Sequence, residues 1–271
     1  AQAVLARTWA LRNQGRFAVD GYHLCADTQC QVYGEPAAAS GAVRRAVEAS
    51  RSQVLSFNGQ PIHAVYHASN GGVSAGYEEV WGGPPWPYLR PAIDAPASGS
   101  GSLVARLPLP LSAAGVADLL AHGGQAYGSS HPLFRWSRRL DRGQITRALG
   151  PAAAGVGSLQ QVQVLERGPS GRVVRLGLRG SAGELVLTRD AIRRTLRTLP
   201  STLFVLTPVG PGTWRLEGGG FGHGAGLSQA GAIDLAARGW SLERILSHYY
   251  PGTSLLPLQV LAPPEPSGGG L

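Results

Sequence analysis

The chain has 271 residues, 43% apolar and 15% charged, with 24 basic and 16 acidic side chains and a formal net charge of +8. That composition excludes a disordered polymer and leaves room for one or two cored domains. No apolar run approaches 18 residues, so no helix of this stretch spans a membrane, and the excess positive charge suits nucleic acid, acidic lipid or an anionic wall polymer.

Residues 1–14 read as the end of an amphipathic helix with Val4, Leu5, Thr8 and Leu11 on one side. The chain lacks methionine and opens in mid-pattern, which predicts a processed or partial product whose leader and any upstream catalytic group precede it. Tyr22–Tyr33 reads as extended, and Asp27 within it suits an Asx turn. Cys25 and Cys30 favour a short disulfide in an oxidising compartment; two free buried thiols, or a zinc site with His23, are the alternatives. Ser40 caps a predicted helix to about Ser50. A hairpin follows: QVLSF, the Asn58-Gly59 turn, then QPIHAVYHAS, ending in a sharp turn at Ser69–Gly72. Glu78 and Glu79 read as solvated, while Asp94 and Glu217 read as strand-end residues. Trp81 and Trp86 suit either a sugar-stacking platform or loop anchors.

Ala95–Ser102 has linker chemistry. Beyond it lie a helix at 112–121, a hairpin around Pro169-Ser170-Gly171, the strand ELVLT and a helix at 189–197. Strands TLFVLTPV and TWRLEG lead to GGGFGHGAGLSQAGA, residues 218–232. Six glycines surround His223 before a helix marked by Leu227, Gly231 and Leu235. So bare a backbone lets a ligand come close or lets φ turn positive. His223 either handles protons or ties loop carbonyls structurally. GFGHGA matches a dinucleotide fingerprint, but the next element is another helix, SLERILSHYY, so the βαβ unit fails. A phosphate loop needs a lysine, and the chain has none. No G-x-S-x-G elbow surrounds Ser69 or Ser228.

These blocks resemble the stage II sporulation protein D and amidase enhancer family. The likeness runs through AQAVLARTWAL, DTQCQVYGE, HAVYHASNGGVSAGYEEVWGG, PYLRPAID, SGRV and GFGHGAGLSQAGAIDLAARGWSLERILSHYYPGT, in that order. It implies peptidoglycan chemistry: a lytic transglycosylase whose general-acid glutamate lies just upstream of the AQAVLART block. One carboxyl protonates the glycosidic oxygen and a hydroxyl of the sugar itself attacks C1. The 271-residue chain is then expected to bind glycan and scarcely cut it. The rival class is a non-catalytic module that holds glycan and stimulates a separate cell-wall amidase. Where some relatives carry a further histidine, this chain has Gln29, so no zinc is expected.

The expected fold is α+β, a discontinuous mixed core over 1–94 and 203–261 with a smaller lobe inserted at 103–202 and a disordered tail at 262–271. Expected substrate contacts are Arg7, Gln31, Tyr33, Tyr66, Ser69, Gly71, Gly72, Gly222, His223, Gly224, Ser228 and Gln229. No cofactor, metal or nucleic acid is expected. The expected location is secreted or periplasmic, at the cell wall.

Overall fold

Asn58 and Gly59 both take positive φ, +50° and +75°, the geometry a two-residue hairpin requires. They join strand Gln53–Phe57 to Gln60–Pro61 in antiparallel register, with Ser56 facing Pro61. The computed structural model describes residues 1–27, 29–32, 34–97 and 101–260. In it the hairpin's second strand is shorter than the sequence pattern predicts. Hydrogen bonds from Ala64 N–H to Ile62 O and from Val65 N–H to His63 O bend the chain out of the ladder. The tail at 262–271 lies outside the described residues.

The chain divides into two compact units, Ala1–Val65 with Ser241–Leu271, and Tyr66–Trp240. In the first, strand Ser254–Pro257 pairs with the free side of 53–57. Helix Gln2–Arg12 buries Val4, Leu5, Thr8 and Trp9. Thr8 Oγ1 accepts from Leu55 N–H at 2.9 Å and donates to Val4 O at 2.8 Å, tying helix to strand. Ser241 caps helix Leu242–Tyr249, which buries Ile245, Leu246 and Tyr249. Ser40 caps helix Gly41–Ala49 as its residue type predicts, yet no residue of that helix is buried. The segment around Cys25 is not extended: its described residues form turns and bends. A Cys25–Cys30 disulfide closes the segment with Cα atoms 5.6 Å apart, and Asp27 Oδ1 accepts from Gln29 N–H at 2.8 Å in an Asx turn.

The second unit carries two three-stranded antiparallel sheets. One pairs Thr213–Gly219 with Phe204–Gly210 on one side and Arg135–Asp141 on the other. The other pairs Val173–Gly180 with Leu159–Arg167 and Glu184–Thr188. Trp136, Leu140, Leu176, Leu178, Phe204 and Trp214 meet in one core cluster that joins the two sheets. Helix Ala113–His122 contributes Val116 and Leu119 to a second cluster with Val73, Leu103 and Phe134. Burying these faces supplies the main drive for folding. Helices and mostly antiparallel sheets together make this an α+β protein.

Candidate functional site

The glycine loop closes on the segment 66–75 of the same unit. Strand Tyr66–His67 pairs in parallel with Leu227–Ser228. Ser69 and Phe221 exchange main-chain hydrogen bonds at 3.1 and 2.7 Å, and Ala75 N–H donates to Gly224 O at 2.9 Å. The two backbones approach closely because side chains are missing between them. Gly220 has φ +83°, and a Cβ there would sit 2.6 Å from Ser69 O. Gly71 answers from the other side, φ +73°, where a Cβ would lie 2.6 Å from the Gly219 carbonyl carbon. Only glycine fits both the conformation and the gap.

His223 is pinned at both ring nitrogens. Nε2–H donates to Tyr66 O at 2.9 Å, and Nδ1 accepts from Ala225 N–H at 3.2 Å. That tautomer is neutral, and both nitrogens are occupied by backbone. The pKa falls to about 4, mainly through burial, with Arg193 and Arg172 adding to the fall and Asp190 and the Tyr66 carbonyl opposing it. His223 therefore shapes the loop and is not placed to shuttle protons. His67 stands beside it, ring centroids 5.1 Å apart. Its Nδ1–H donates to Ala225 O at 3.1 Å, while Nε2 is buried with no hydrogen-bond partner. Burial, then the neighbouring His223 and Arg172, hold its pKa well below the usual imidazole value.

Beneath the loop lies Arg172, 1% exposed. Its Nη2 donates to Asn70 O at 2.8 Å and Val73 O at 3.2 Å, while Nε and Nη1 are buried without partners. Gly224 lies flat on this guanidinium, where a Cβ would overlap it. Burial lowers the arginine's pKa to about 10, opposed by the charge of Glu79, so it stays cationic at neutral pH. Glu79 is buried rather than solvated: it is 5% exposed and accepts from Gly76 N–H at 2.8 Å, Ser170 N–H at 3.0 Å and Ser170 Oγ–H at 2.6 Å. Burial raises its pKa against those hydrogen bonds. Asn70 fixes the adjoining turn, donating to Asp94 Oδ2 at 2.6 Å and accepting from Gly72 N–H at 2.9 Å. Asp94 does follow strand Ala92–Ile93, and it is buried there.

The structure thus gathers Tyr66, Ser69, Gly71, Gly72, Gly222, His223, Gly224, Ser228 and Gln229 around one loop. Ser69 and Ser228 are buried, and their hydroxyls accept from Gly71 N–H at 3.4 Å and Gly231 N–H at 3.3 Å. They brace the loop from below. Arg7 and Gln31 belong to the other unit. There Arg7 Nη1 donates to Ser50 O and Gln53 O, both at 2.7 Å, and Gln31 Nε2 donates to Ala6 O at 3.2 Å. Tyr33 lies outside the described residues. The two tryptophans differ. Trp81 is 42% exposed with its ring 4.9 Å from that of His223, whereas Trp86 is half-buried 5.8 Å from the Tyr88 ring. Among the described residues no group of three His, Cys, Asp or Glu side chains is placed to hold a metal ion. Sequence reasoning missed Arg172, Glu79 and Asn70 as builders of the site. Ser170 and Arg172 sit inside the quoted SGRV block, which was the available signal.

The histidines make acid lability a direct expectation. A pKa lower in the folded than in the unfolded chain gives stability that is present above about 6.5 and is lost as pH falls through the folded value. His223 and His63 fall to about 4 and His67 falls in the same direction. Stability should drop by about 1.4 kcal/mol per pH unit for each imidazole in that window. Glu79 works the other way, since its raised pKa stabilises below its ordinary value and fades as pH rises through the folded value. Urea midpoints at a series of pH values should therefore decline from pH 7 towards 4. His223→Asn should flatten that slope, and a midpoint independent of pH would contradict the neutral, buried imidazoles.

Comparison with known proteins gives this site a lineage. Residues 1–57 match the family model described as Stage II sporulation protein. Residues 75–226, more than half of the chain, match a domain of unknown function, DUF8618. The amidase enhancer of Bacillus subtilis (strain 168) is 29% identical over 270 residues, covering 94% of this chain and 37% of that protein. The stage II sporulation protein D of Bacillus amyloliquefaciens is 26% identical over 213 residues, 79% of this chain and 50% of that protein. The chain thus spans half or less of the length of these relatives. Block order, the matched segment 1–57 and both relatives agree in supporting the stage II sporulation protein D and amidase enhancer family as the one this chain is similar to.

Proposed function

We propose that this chain holds peptidoglycan glycan strands at its glycine loop, as the strand-binding part of a lytic transglycosylase. The observation that carries the reading is the loop itself. Its glycines pack on Ser69–Gly71, His67 and Arg172, so the loop is held rigid, braced by buried serines and a neutral histidine, and it presents exposed Phe221 with Trp81 beside His223. Such a surface suits a long, flat, largely uncharged polymer rich in hydroxyls and amides. The net charge of +8 favours strands that carry lactyl carboxylates. The Cys25–Cys30 disulfide supports a secreted or periplasmic location at the cell wall. In the whole protein, cleavage would use a glutamate upstream of Ala1 as general acid: it gives its proton to the glycosidic oxygen as the C1–O bond breaks, and the carboxylate so formed takes the proton of the sugar hydroxyl that closes on C1.

The second reading is a binding module that stimulates a cell-wall amidase, favoured by the name of the Bacillus subtilis relative. One experiment separates them. The chain, and a version extended upstream through the expected glutamate, are incubated with denuded glycan strands. Both should co-sediment with the strands, less so as salt rises, and only the longer should release anhydro-ended products by mass spectrometry. Binding without cleavage by either would favour the amidase reading. No retention at low salt would end both.

A further inference from the structure

We infer that Trp81, with Tyr77, His223 and Glu78, forms a stacking subsite for one uncharged pyranose ring. The inference deepens the glycan reading above and rests on it. Trp81 ends the short helix Tyr77–Trp81, where residues four apart share a face. Its ring lies 4.8 Å from Tyr77 and 4.9 Å from His223, and the His223 ring lies 5.1 Å from His67. Tyr77, Trp81, His223 and His67 thus form a row of four rings in that order, and Trp81, 42% exposed, is its most exposed member.

The row is rigid. His223 is held at both nitrogens, and Arg189 Nε donates to Glu78 O at 3.0 Å, anchoring the helix that carries Trp81. A flat, fixed indole face suits the C–H face of a sugar, and stacking loses little conformational freedom. Glu78 supplies the second observation. It stands three residues before Trp81 on the adjoining helix face, and its Oε2 is buried with no hydrogen-bond partner. The carboxylate lies against Gly76, and rotation of this side chain outward would present it to a hydroxyl at the rim of a stacked sugar, a charge-assisted hydrogen bond. The residues after Trp81, Gly82 to Pro85, carry no bulky apolar group. A ring on this platform therefore meets one aromatic face and one acceptor. A protein partner would need a far wider apolar surface.

The probe is an uncharged β-1,4-linked N-acetylglucosamine oligomer titrated into the whole chain by calorimetry. It lacks lactyl carboxylates, so its affinity reports stacking and hydroxyl contacts apart from net charge. Trp81→Ala should weaken binding about tenfold and Glu78→Gln about fivefold, whereas Trp81→Phe should stay within about threefold of the parent. Ile233→Ala, an exposed change on helix Gln229–Ala237, should leave binding unchanged. Far-UV circular dichroism and thermal melting check that each variant is folded. Equal oligomer affinity for the parent and for folded Trp81→Ala and Glu78→Gln would overturn the subsite while leaving the glycan reading intact. Failure of the parent to retain either oligomer or denuded strands would sink the glycan reading itself. Unchanged oligomer affinity in Trp81→Ala with lost amidase stimulation would make the row a protein-docking surface and overturn the inference.

Discussion

Gly220→Ala should be among the most damaging single changes in the second unit, although it adds only one methyl group. The residue sits at φ +83°, and its Cβ would lie 2.6 Å from Ser69 O and 2.9 Å from Gly71 N. A non-glycine residue in a left-handed conformation costs about 1–2 kcal/mol. Forcing extra volume into a packed contact costs about 1–3 kcal/mol more. Both neighbours here are main chain, so no side-chain rotation relieves the overlap. Together the terms predict a loss of about 2–5 kcal/mol and a fall in Tm of roughly 5–20 °C. Gly155→Ala is the control, since nothing lies within 4 Å of its Cβ position; it should change stability by less than about 1 kcal/mol. If the two variants melt alike, the tight meeting of 69–71 with 219–220 is not what the structure depicts.

Arg172→Met carries the second large effect. It removes the donor from Asn70 O and Val73 O and takes away the cation that favours Glu79 in its charged state. Leaving buried acceptors unpaired typically costs about 1–3 kcal/mol for each group, and Glu79 also loses the charge that favours its ionised form. Arg172→Lys should not rescue it: an ammonium cannot reproduce the planar fork that lies against Gly224. A double-mutant cycle with Glu79→Gln should show the two losses adding to less than their sum. Urea unfolding measures all four corners. Full stability in Arg172→Met would mean that the buried guanidinium contributes nothing to this fold.

Local chemistry was readable from the sequence wherever local chemistry decided the outcome. Asn58-Gly59 gave its hairpin, and Ser40, Ser112 and Ser241 each capped a helix. The hairpin around Gly171 formed as its spacing indicated, with Gly171 at φ +79°. What escaped was decided at long range. Strand Arg135–Asp141, RWSRRLD, went unrecognised in the sequence, and it forms through pairing with distant Thr213–Gly219. Tyr22–Tyr33 looked extended because of its Tyr and Val content, but the disulfide and the Asx turn curl it. Around the glycine loop, the sequence pattern identified the bare backbone and His223. It could not reveal that an arginine 51 residues before His223 would be buried beneath the loop. Burying such a charge requires carbonyls and a carboxylate that only the folded chain assembles.

The pairing of His67 with Ala225 spans 158 positions, and that separation sets a timetable. A ribosome adding about 5–20 residues per second delivers the two partners on the order of ten seconds apart. Until then the His67–Asn70 stretch has no strand beside it and its polar groups remain in water. Contacts so distant in sequence form slowly, because closing the chain precedes any reward from packing. The domain between them must therefore be in place before the site exists. A shortened gene ending before Leu227 would leave the glycine loop without the strand Leu227–Ser228 that pairs with Tyr66–His67.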